Sequence, residues 1–146
     1  MILPDVNLLI FAHNPEAPLH TPSREWWDAC LSGPEGVALA WVGLLGFIRI
    51  TTNPRLHTNP FTPSDACERI AEWLSLPHFQ IVHPAPDHFP RLKSLLEHLG
   101  TAGNLTTDAH LAALAIERGL ILHTTDADFS RFPGLNWINP LRDSSK

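Results

Sequence analysis

Short runs of consecutive apolar residues alternate along the chain with longer segments whose apolar residues lie three or four positions apart. A continuous apolar run is typical of a strand covered on both faces, and the longer spacing is typical of an amphipathic helix. The runs predict strands at 1–4, 36–39, 79–82, 120–123 and 136–138. The spaced segments predict helices at 6–13, 22 to about 31, 41–51, 63 to about 74, 88–100 and 107–118.

Threonine, proline and glycine mark the ends of several of these helices. Thr62-Pro63 and Thr21-Pro22 are each expected to supply an N-cap and the first helical residue. Thr106 or Thr107 is expected to cap the helix that stops at Gly119. The alternation of strands and helices predicts an α/β fold of three layers, in which helices flank a central, mostly parallel sheet of four or five strands.

The chain has 146 residues, which predicts one domain at 1–141 and a short polar tail at 142–146. No apolar run approaches the roughly 18 residues of a membrane helix, and the N-terminus lacks the basic segment of a signal peptide, so a cytoplasmic protein is expected. Cys30 and Cys67 are expected to be buried free thiols. The net charge of −5 argues against broad non-specific binding to nucleic acid and permits a local basic patch.

Four aspartates follow predicted strands or begin a predicted helix. Asp5 follows the first strand, Asp126 and Asp128 follow the fourth together with Thr124, and Asp108 lies in the first turn of the helix before that strand. Ligands of open parallel sheets bind at the carboxyl ends of the strands, so the four side chains are expected to converge.

Each aspartate taken singly has a plain alternative as a residue of a helix terminus or a turn. Taken together, neighbouring carboxylates repel and raise at least one pKa. A Mg²⁺ or Mn²⁺ ion, which prefers oxygen ligands, would remove that repulsion. The pattern therefore indicates an acidic metal site, and such a site is compatible with phosphoryl transfer.

Other catalytic patterns are absent from the sequence. It contains no HExxH, GxSxG, Walker A or GxGxxG segment, and its nine histidines are scattered and expected mostly at the surface or in loops. A phosphoacceptor receiver domain also clusters aspartates in an α/β fold, but it normally needs a lysine after a late strand. The only lysines are Lys93 and Lys146, and neither has that position.

Three segments resemble the PIN domain, and most closely the VapC toxins of bacterial VapBC toxin–antitoxin pairs: DVNLLIFA, TDAHLAALA and TTDADF. LLGFIRITTNPRL and RFPGL also resemble one VapC subgroup, so the resemblance covers nearly the whole chain in order. It implies a PIN fold and a Mg²⁺- or Mn²⁺-dependent endoribonuclease that leaves 5′-phosphate and 3′-hydroxyl ends. It also implies a cognate VapB-type antitoxin that blocks the activity, and a homodimer.

The resemblance assigns roles to the four aspartates by position. Asp5 matches the first acidic residue of the family, and Asp108 matches the acidic residue of the later helix. Asp126 and Asp128 match the two acidic positions of the T-x-D-x-D-F segment, with Thr124 as its threonine. Asp5, Asp108 and Asp126 are expected to hold the ion, and Asp128 to support it or accept a proton. Thr124 is expected to orient these carboxylates by hydrogen bonding.

Two further sets of residues are expected to assist. Asn7 and Asn104 lie beside matching positions and are expected to donate hydrogen bonds to the metal-binding carboxylates. Arg49, Arg55 and Arg131 are expected to contact RNA phosphates. The alternative for Arg49 is an ion pair with an aspartate at the edge of the core, and the alternative for Arg55 is a solvated side chain.

One position departs from the family. PIN nucleases commonly carry a glutamate three residues before an arginine on the helix after the second strand. Here the arginine is Arg49, the matching position is Gly46, and no Asp or Glu occurs from residue 36 to residue 64. Gly46 either marks a lost metal ligand or lets its helix approach the sheet closely. The nuclease toxin therefore has an alternative, a catalytically weak PIN-like module that acts by binding antitoxin or RNA.

Overall fold

The structure is a computed structural model that describes residues 1–142, so residues 143–146 of the predicted tail lie outside the described part. The strands are β1 (Ile2–Pro4), β2 (Val37–Ala40), β3 (Phe79–Val82), β4 (Ile121–His123) and β5 (Trp137–Ile138). The helices are α1 (Val6–His13), α2 (His20–Ser32), α3 (Trp41–Thr51), α4 (Pro63–Leu74), α5 (His88–Leu99) and α6 (Thr106–Arg118). Two short 3₁₀ helices span Gly103–Leu105 and Ala127–Arg131. The predicted α/β class is confirmed.

The five strands form one sheet in the order β3-β2-β1-β4-β5, and every pairing between them is parallel. The chain builds outward from β1 through β2 to β3 and then crosses to the other side of β1 to form β4. The order therefore reverses beside β1, and ligands of such sheets bind at the carboxyl ends of the strands at this switch point. Pro4 pairs with His123, so the segments that follow β1 and β4 leave the sheet side by side.

Both faces of the sheet are covered, which accounts for the continuous apolar runs of the strands. Successive side chains of a strand face opposite sides of the sheet. Ile2 and Val37 pack in a core with α1, α2, α3 and α4. Leu3 and Ala38 pack in a second core with α5 and α6. The predicted three layers are thus present.

Helix caps agree with the sequence prediction in one case and depart from it in two. At the start of α4, Thr62 and Asp65 form the reciprocal hydrogen bonds of a capping box. The cap predicted for α2 is wrong, because Thr21 lies inside that helix. The cap predicted for α6 is also wrong, because a 3₁₀ turn ending at Leu105 runs directly into the helix and both candidate threonines are helical.

Two expectations about burial need correction. Cys30 is buried as predicted, but Cys67 is exposed, since it lies on the solvent side of α4; both are free thiols. The histidines, all of which are described, are mostly half-buried or buried rather than at the surface. His88, for example, hydrogen-bonds Glu117 at 2.7 Å and His110 at 2.9 Å, and thereby joins α5 to α6. None of the helices within residues 1–142 is long and apolar enough to cross a membrane.

Candidate active site

A chain of hydrogen bonds links the acidic segments that follow β1 and β4. The Thr124 hydroxyl donates to Oδ2 of Asp5 at 2.7 Å, and the same hydroxyl oxygen accepts from the Asp126 backbone N–H at 3.0 Å. The Asp128 backbone N–H donates in turn to Oδ1 of Asp126 at 2.9 Å, at the start of the second 3₁₀ helix. Thr124 is thus the residue that ties the two segments together.

Asp5 is a buried carboxyl group, with only 6% of its surface exposed. Burial raises its pKa above the ordinary value, and the nearby negative charge of Asp126 adds to the shift. The Thr124 hydroxyl and the backbone amides of Asn7 and Val6 oppose the shift by favouring the ionised form. Asp5 therefore keeps a charge inside the protein only with help from its donors or from a cation.

Asp108 projects from the first turn of α6 toward the same place. It lines a cavity of about 60 Å³ together with Asp5, and the other walls are residues of β1, α1, α3 and α6. Its pKa is raised to about 6 by partial burial and then by the charges of Asp5, Asp126 and Asp128. Asp108 and Asp5 therefore share one cavity, and Asp126 and Asp128 are near enough for their charges to act on Asp108.

The acidic side chains of this site can hold a divalent cation only through a small number of direct ligands. Within residues 1–142, no three His, Cys, Asp or Glu side chains are grouped closely enough to hold a metal ion. Mg²⁺, however, usually binds through one or two carboxylates and keeps several waters. Asp5 and Asp108 offer two carboxylates in one cavity, which has room for an ion with water. No ion pair within the described part joins a lysine or arginine to these aspartates, so their charge lacks a protein counter-ion. A divalent cation therefore fits this site.

The two asparagines do not take the role expected of them in this structure. Asn7 and Asn104 are exposed, and among the described residues neither side chain hydrogen-bonds a carboxylate of the site. Asn7 contributes through its backbone amide alone. The three arginines expected to meet RNA, Arg49, Arg55 and Arg131, are all exposed, and none forms an ion pair within residues 1–142. The alternative ion pair of Arg49 with an aspartate is thus absent there.

Two glycines of α3 lie on the side of that helix that faces the site. Gly46 is buried, and a Cβ placed on it would lie 3.4 Å from Cγ2 of Val6, the residue after Asp5. Gly43, one turn earlier, lines the acidic cavity itself, and a Cβ there would meet nothing within 4 Å. The sequence predicted a role for Gly46 and none for Gly43. The three-residue spacing of the two glycines on one predicted helix was the available signal.

His123 also contributes to the site, although the sequence predicted no role for it. It ends β4, is buried, and accepts a 3.1 Å hydrogen bond at Nδ1 from the indole Nε1–H of Trp26. Its backbone carbonyl accepts from the Asp5 N–H at 2.9 Å. Burial and the positive N-terminus lower the pKa of His123 to about 4. His123 therefore stands neutral behind the acidic cluster and fixes the backbone of Asp5.

Comparisons with known proteins agree with this architecture. The family model for the PIN domain matches residues 2–135. Ribonuclease VapC33 of Mycobacterium tuberculosis is 40% identical over 143 residues, which are 98% of this chain and 100% of that protein. The crystal structure of M. tuberculosis VapC20, described as a sarcin–ricin loop cleaving toxin, has a TM-score of 0.67 at 19% identity and covers 93% of this chain and 99% of its own. A toxin–antitoxin complex from Klebsiella pneumoniae gives 0.63 at 19% identity, covering 96% and 98%.

The chain therefore belongs to the PIN-domain family and, within it, to the VapC ribonucleases. The family and fold that the sequence predicted are confirmed. Nucleases of this family generally depend on a divalent metal ion.

Proposed function

We propose that this chain is a toxin endoribonuclease that hydrolyses RNA phosphodiester bonds with a Mg²⁺ or Mn²⁺ ion bound by Asp5, Asp108 and water. Asp126, the third ligand that the sequence predicts, is not grouped with these two closely enough to bind the same ion in this structure. The observation that carries the proposal is the cavity shared by Asp5 and Asp108 at the carboxyl edge of the sheet. Carboxylates that raise one another's pKa and lack a protein counter-ion favour a cation as their partner. The 40% identity to a VapC ribonuclease along the full chain supports the choice of RNA as substrate.

When bound, the ion would supply a polarised water and positive charge against the phosphoryl oxygens. The protein's own part is to hold the reacting groups in place. Thr124 fixes the Asp5 carboxylate, and Asp126 fixes the turn that carries Asp128. The exposed Asp128 carboxylate accepts a proton from the attacking water.

The proposed hydrolysis consumes one water. The water oxygen bonds to phosphorus, the bond between phosphorus and the 3′ oxygen breaks, and that oxygen takes up a proton. The products are a 5′-phosphate and a 3′-hydroxyl end. Arg49, Arg55 and Arg131 would contribute by attracting the phosphates of the RNA, since each is exposed and carries its charge without an ion pair within residues 1–142.

A VapB-type antitoxin is the proposed protein partner, and a homodimer the proposed assembly. The likeness to a chain of a Klebsiella pneumoniae toxin–antitoxin complex supports a fold that accommodates such a partner. Co-expression with a cognate VapB-type antitoxin should give a stable complex without ribonuclease activity. Light scattering of the toxin alone should give twice the 16.2 kDa of one chain.

The proposal is tested by incubating total RNA with the protein in Mg²⁺, Mn²⁺ or EDTA and mapping the ends. We expect discrete cuts with 5′-phosphate ends in Mg²⁺ or Mn²⁺ and none in EDTA. Asp5→Asn and Asp108→Asn should each lose most of the activity. Asp28→Asn is the matched control, because Asp28 is an exposed carboxylate of α2 outside the site. Equal cleavage by wild type and Asp5→Asn, or cleavage in EDTA, would overturn the proposal.

A second candidate function is favoured by Gly46. With no carboxylate between residues 36 and 64, α3 cannot contribute the acidic ligand common in PIN nucleases. The protein would then be a weak catalyst that acts by binding RNA or antitoxin. A gel-shift measurement would then show binding of RNA, and the cleavage assay would show no cuts at any Mn²⁺ concentration.

A further inference from the structure

Trp41 differs from the other tryptophans of the chain in its exposure. It is the first residue of α3 and has 51% of its surface exposed. Of the other four, all of which are described, Trp27 and Trp73 are buried and Trp26 and Trp137 are half-buried. A single exposed aromatic ring is not unusual by itself, so the significance of Trp41 depends on where it lies.

The position of Trp41 in the fold places it at the rim of the acidic cavity. β2 lies next to β1 in the sheet, at the usual interstrand distance of about 4.8 Å. Asp5 directly follows β1 and Trp41 directly follows β2, so both leave the same edge of the sheet. The two residues after Trp41, Val42 and Gly43, line the cavity that contains Asp5 and Asp108.

The surface that continues from Trp41 is apolar and then cationic. Trp41, Leu45 and Arg49 follow one another at intervals of four residues, so they form one stripe on α3. Leu45 is 58% exposed, and Arg49 is exposed without an ion pair within residues 1–142. Residues 36–64 contain no Asp or Glu, although the chain as a whole has a net charge of −5.

This combination fits a nucleotide better than it fits a protein. One aromatic ring and one leucine are far less than the roughly 800 Å² that a stable protein interface buries on each partner. A nucleobase is matched in size to one indole face, and stacking on an aromatic side chain accepts any base. The arginine beyond it offers a positive charge to the backbone phosphate.

We propose that the exposed indole of Trp41 is the stacking platform for an unpaired RNA base next to the scissile phosphate. The inference rests on the proposed ribonuclease function and specifies its substrate class. A base within a duplex is already stacked on its neighbours, so only a base in a loop or a single strand can lie on Trp41. The chain would therefore select unpaired segments of RNA.

The test is binding in EDTA, where metal-dependent cleavage cannot occur. The probes are an octamer of adenylates, an octamer of the same length whose residues lack bases, and a fully paired RNA hairpin. We expect the adenylate octamer to bind more tightly than the other two and to quench tryptophan fluorescence. Trp41→Ala should weaken binding of the adenylate octamer about 5- to 150-fold, the range that stacking of one base supplies, and leave the abasic octamer unchanged.

Two further variants complete the comparison. Trp41→Phe should retain most of the affinity, because it keeps an aromatic face. Phe89→Ala is the matched control and should change nothing, since Phe89 is an exposed aromatic of α5 outside this stripe. Melting curves of all variants verify the fold.

Three results would overturn the inference. They are equal binding of adenylate and abasic octamers, equal affinities of wild type and Trp41→Ala, and dissociation of a dimer by Trp41→Ala in size-exclusion chromatography. The last would make this surface an interface between copies. Cleavage by the wild type in Mn²⁺ is measured separately. Its failure would refute the proposed ribonuclease function, while the binding data alone still decide the role of Trp41.

Discussion

The Thr124 hydroxyl donates a hydrogen bond of 2.7 Å to Oδ2 of Asp5, a residue 119 positions earlier in the chain. Thr124 is fully buried, and its oxygen also accepts the Asp126 backbone N–H. One small side chain therefore positions two acidic segments that come from different strands. Substitution of Thr124 is therefore the most direct way to test what holds the acidic segments together.

Thr124→Val should destabilise the protein in metal-free buffer by about 1–3 kcal/mol, because it leaves a buried carboxylate and a backbone N–H without their partners. It should also raise the pKa of Asp5 further. Thr124→Ser keeps the hydroxyl and is the control, with a smaller loss from the missing methyl group. Urea unfolding of the three proteins gives the comparison. If the valine variant is as stable as the serine variant, the hydrogen bond does not support Asp5.

Asp108 should make the metal-free protein less stable as pH rises. The pKa of Asp108 is raised to about 6 from an ordinary 3.8, so the folded state binds the proton more tightly than the unfolded state does. The stability linked to this group is fully present below about pH 4 and is lost as the pH rises to about 6. Asp108→Asn should therefore gain stability relative to wild type across that window and hold the gain above it.

The measurement is the free energy of unfolding in EDTA from pH 4 to pH 8. Adding Mn²⁺ at pH 7 should stabilise the wild type, by about 2.7 kcal/mol at a hundredfold excess over Kd, and stabilise Asp108→Asn much less. A difference between the two proteins that is constant with pH would contradict the assignment of this carboxyl.

His123 should have the opposite pH dependence. Its pKa is lowered to about 4 from an ordinary 6.5, because the ring is buried and lies near the positive N-terminus. The unfolded state takes up the proton first, so stability is lost as pH falls from about 6.5 to 4, with a slope of at most about 1.4 kcal/mol per pH unit. His123→Gln should flatten this part of the curve, since glutamine does not titrate there. Slopes of the same sign for the His123 and Asp108 variants, relative to wild type, would refute the assignment whose predicted sign is not observed.

Gly46 can be tested with a matched pair of substitutions. Gly46→Ala should be tolerated and gain up to about 1 kcal/mol from helix propensity, because its Cβ would make an ordinary 3.4 Å contact with Val6. Gly46→Glu should be less stable than Gly46→Ala in EDTA, because it adds a carboxylate beside a cluster that already repels itself. Mn²⁺ should restore the stability that Gly46→Glu loses in EDTA. Gly46→Glu should also need less Mn²⁺ than the wild type for half-maximal cleavage.

The two explanations of Gly46 separate on the metal response. If Gly46→Glu remains destabilised to the same extent in Mn²⁺ and its metal dependence is unchanged, the glycine serves close packing. The glutamate position of the family would then say nothing about the mechanism of this chain.

The role of Arg49 and Arg55 should appear in the salt dependence of RNA binding. Replacing Arg49 and Arg55 together by glutamine should lower the affinity for a single-stranded RNA uniformly across sequences. Each lost phosphate contact should reduce the slope of log K against log salt by about 0.7. Arg24→Gln is the control, because Arg24 is already paired with Asp28 at 3.4 Å. An unchanged slope in the double variant would place the RNA elsewhere.

Much of the fold followed from local patterns that the sequence displays directly. The helix over Val6–His13 and the strand over Phe79–Val82 have the predicted bounds, since both are set by neighbouring residues in the chain. The capping box at Thr62 was predictable for the same reason. The start of α2 was not predictable in this way. His20 begins the helix, and its ring Nδ1 hydrogen-bonds the backbone carbonyl of Phe11 in α1.

The sequence by itself determined the alternation of elements, the family, and the four aspartates at the ends of strands and helices. Hydrophobic spacing and short motifs are local and can be seen without a structure. Only the tertiary structure decided which oxygen of Asp5 receives the Thr124 hydroxyl, that Gly43 rather than Gly46 lines the cavity, and that Trp41 is left exposed at its rim. Those facts depend on how β1, β2 and β4 lie side by side. Contacts between residues far apart in the chain are fixed by packing and charge, which no local pattern records.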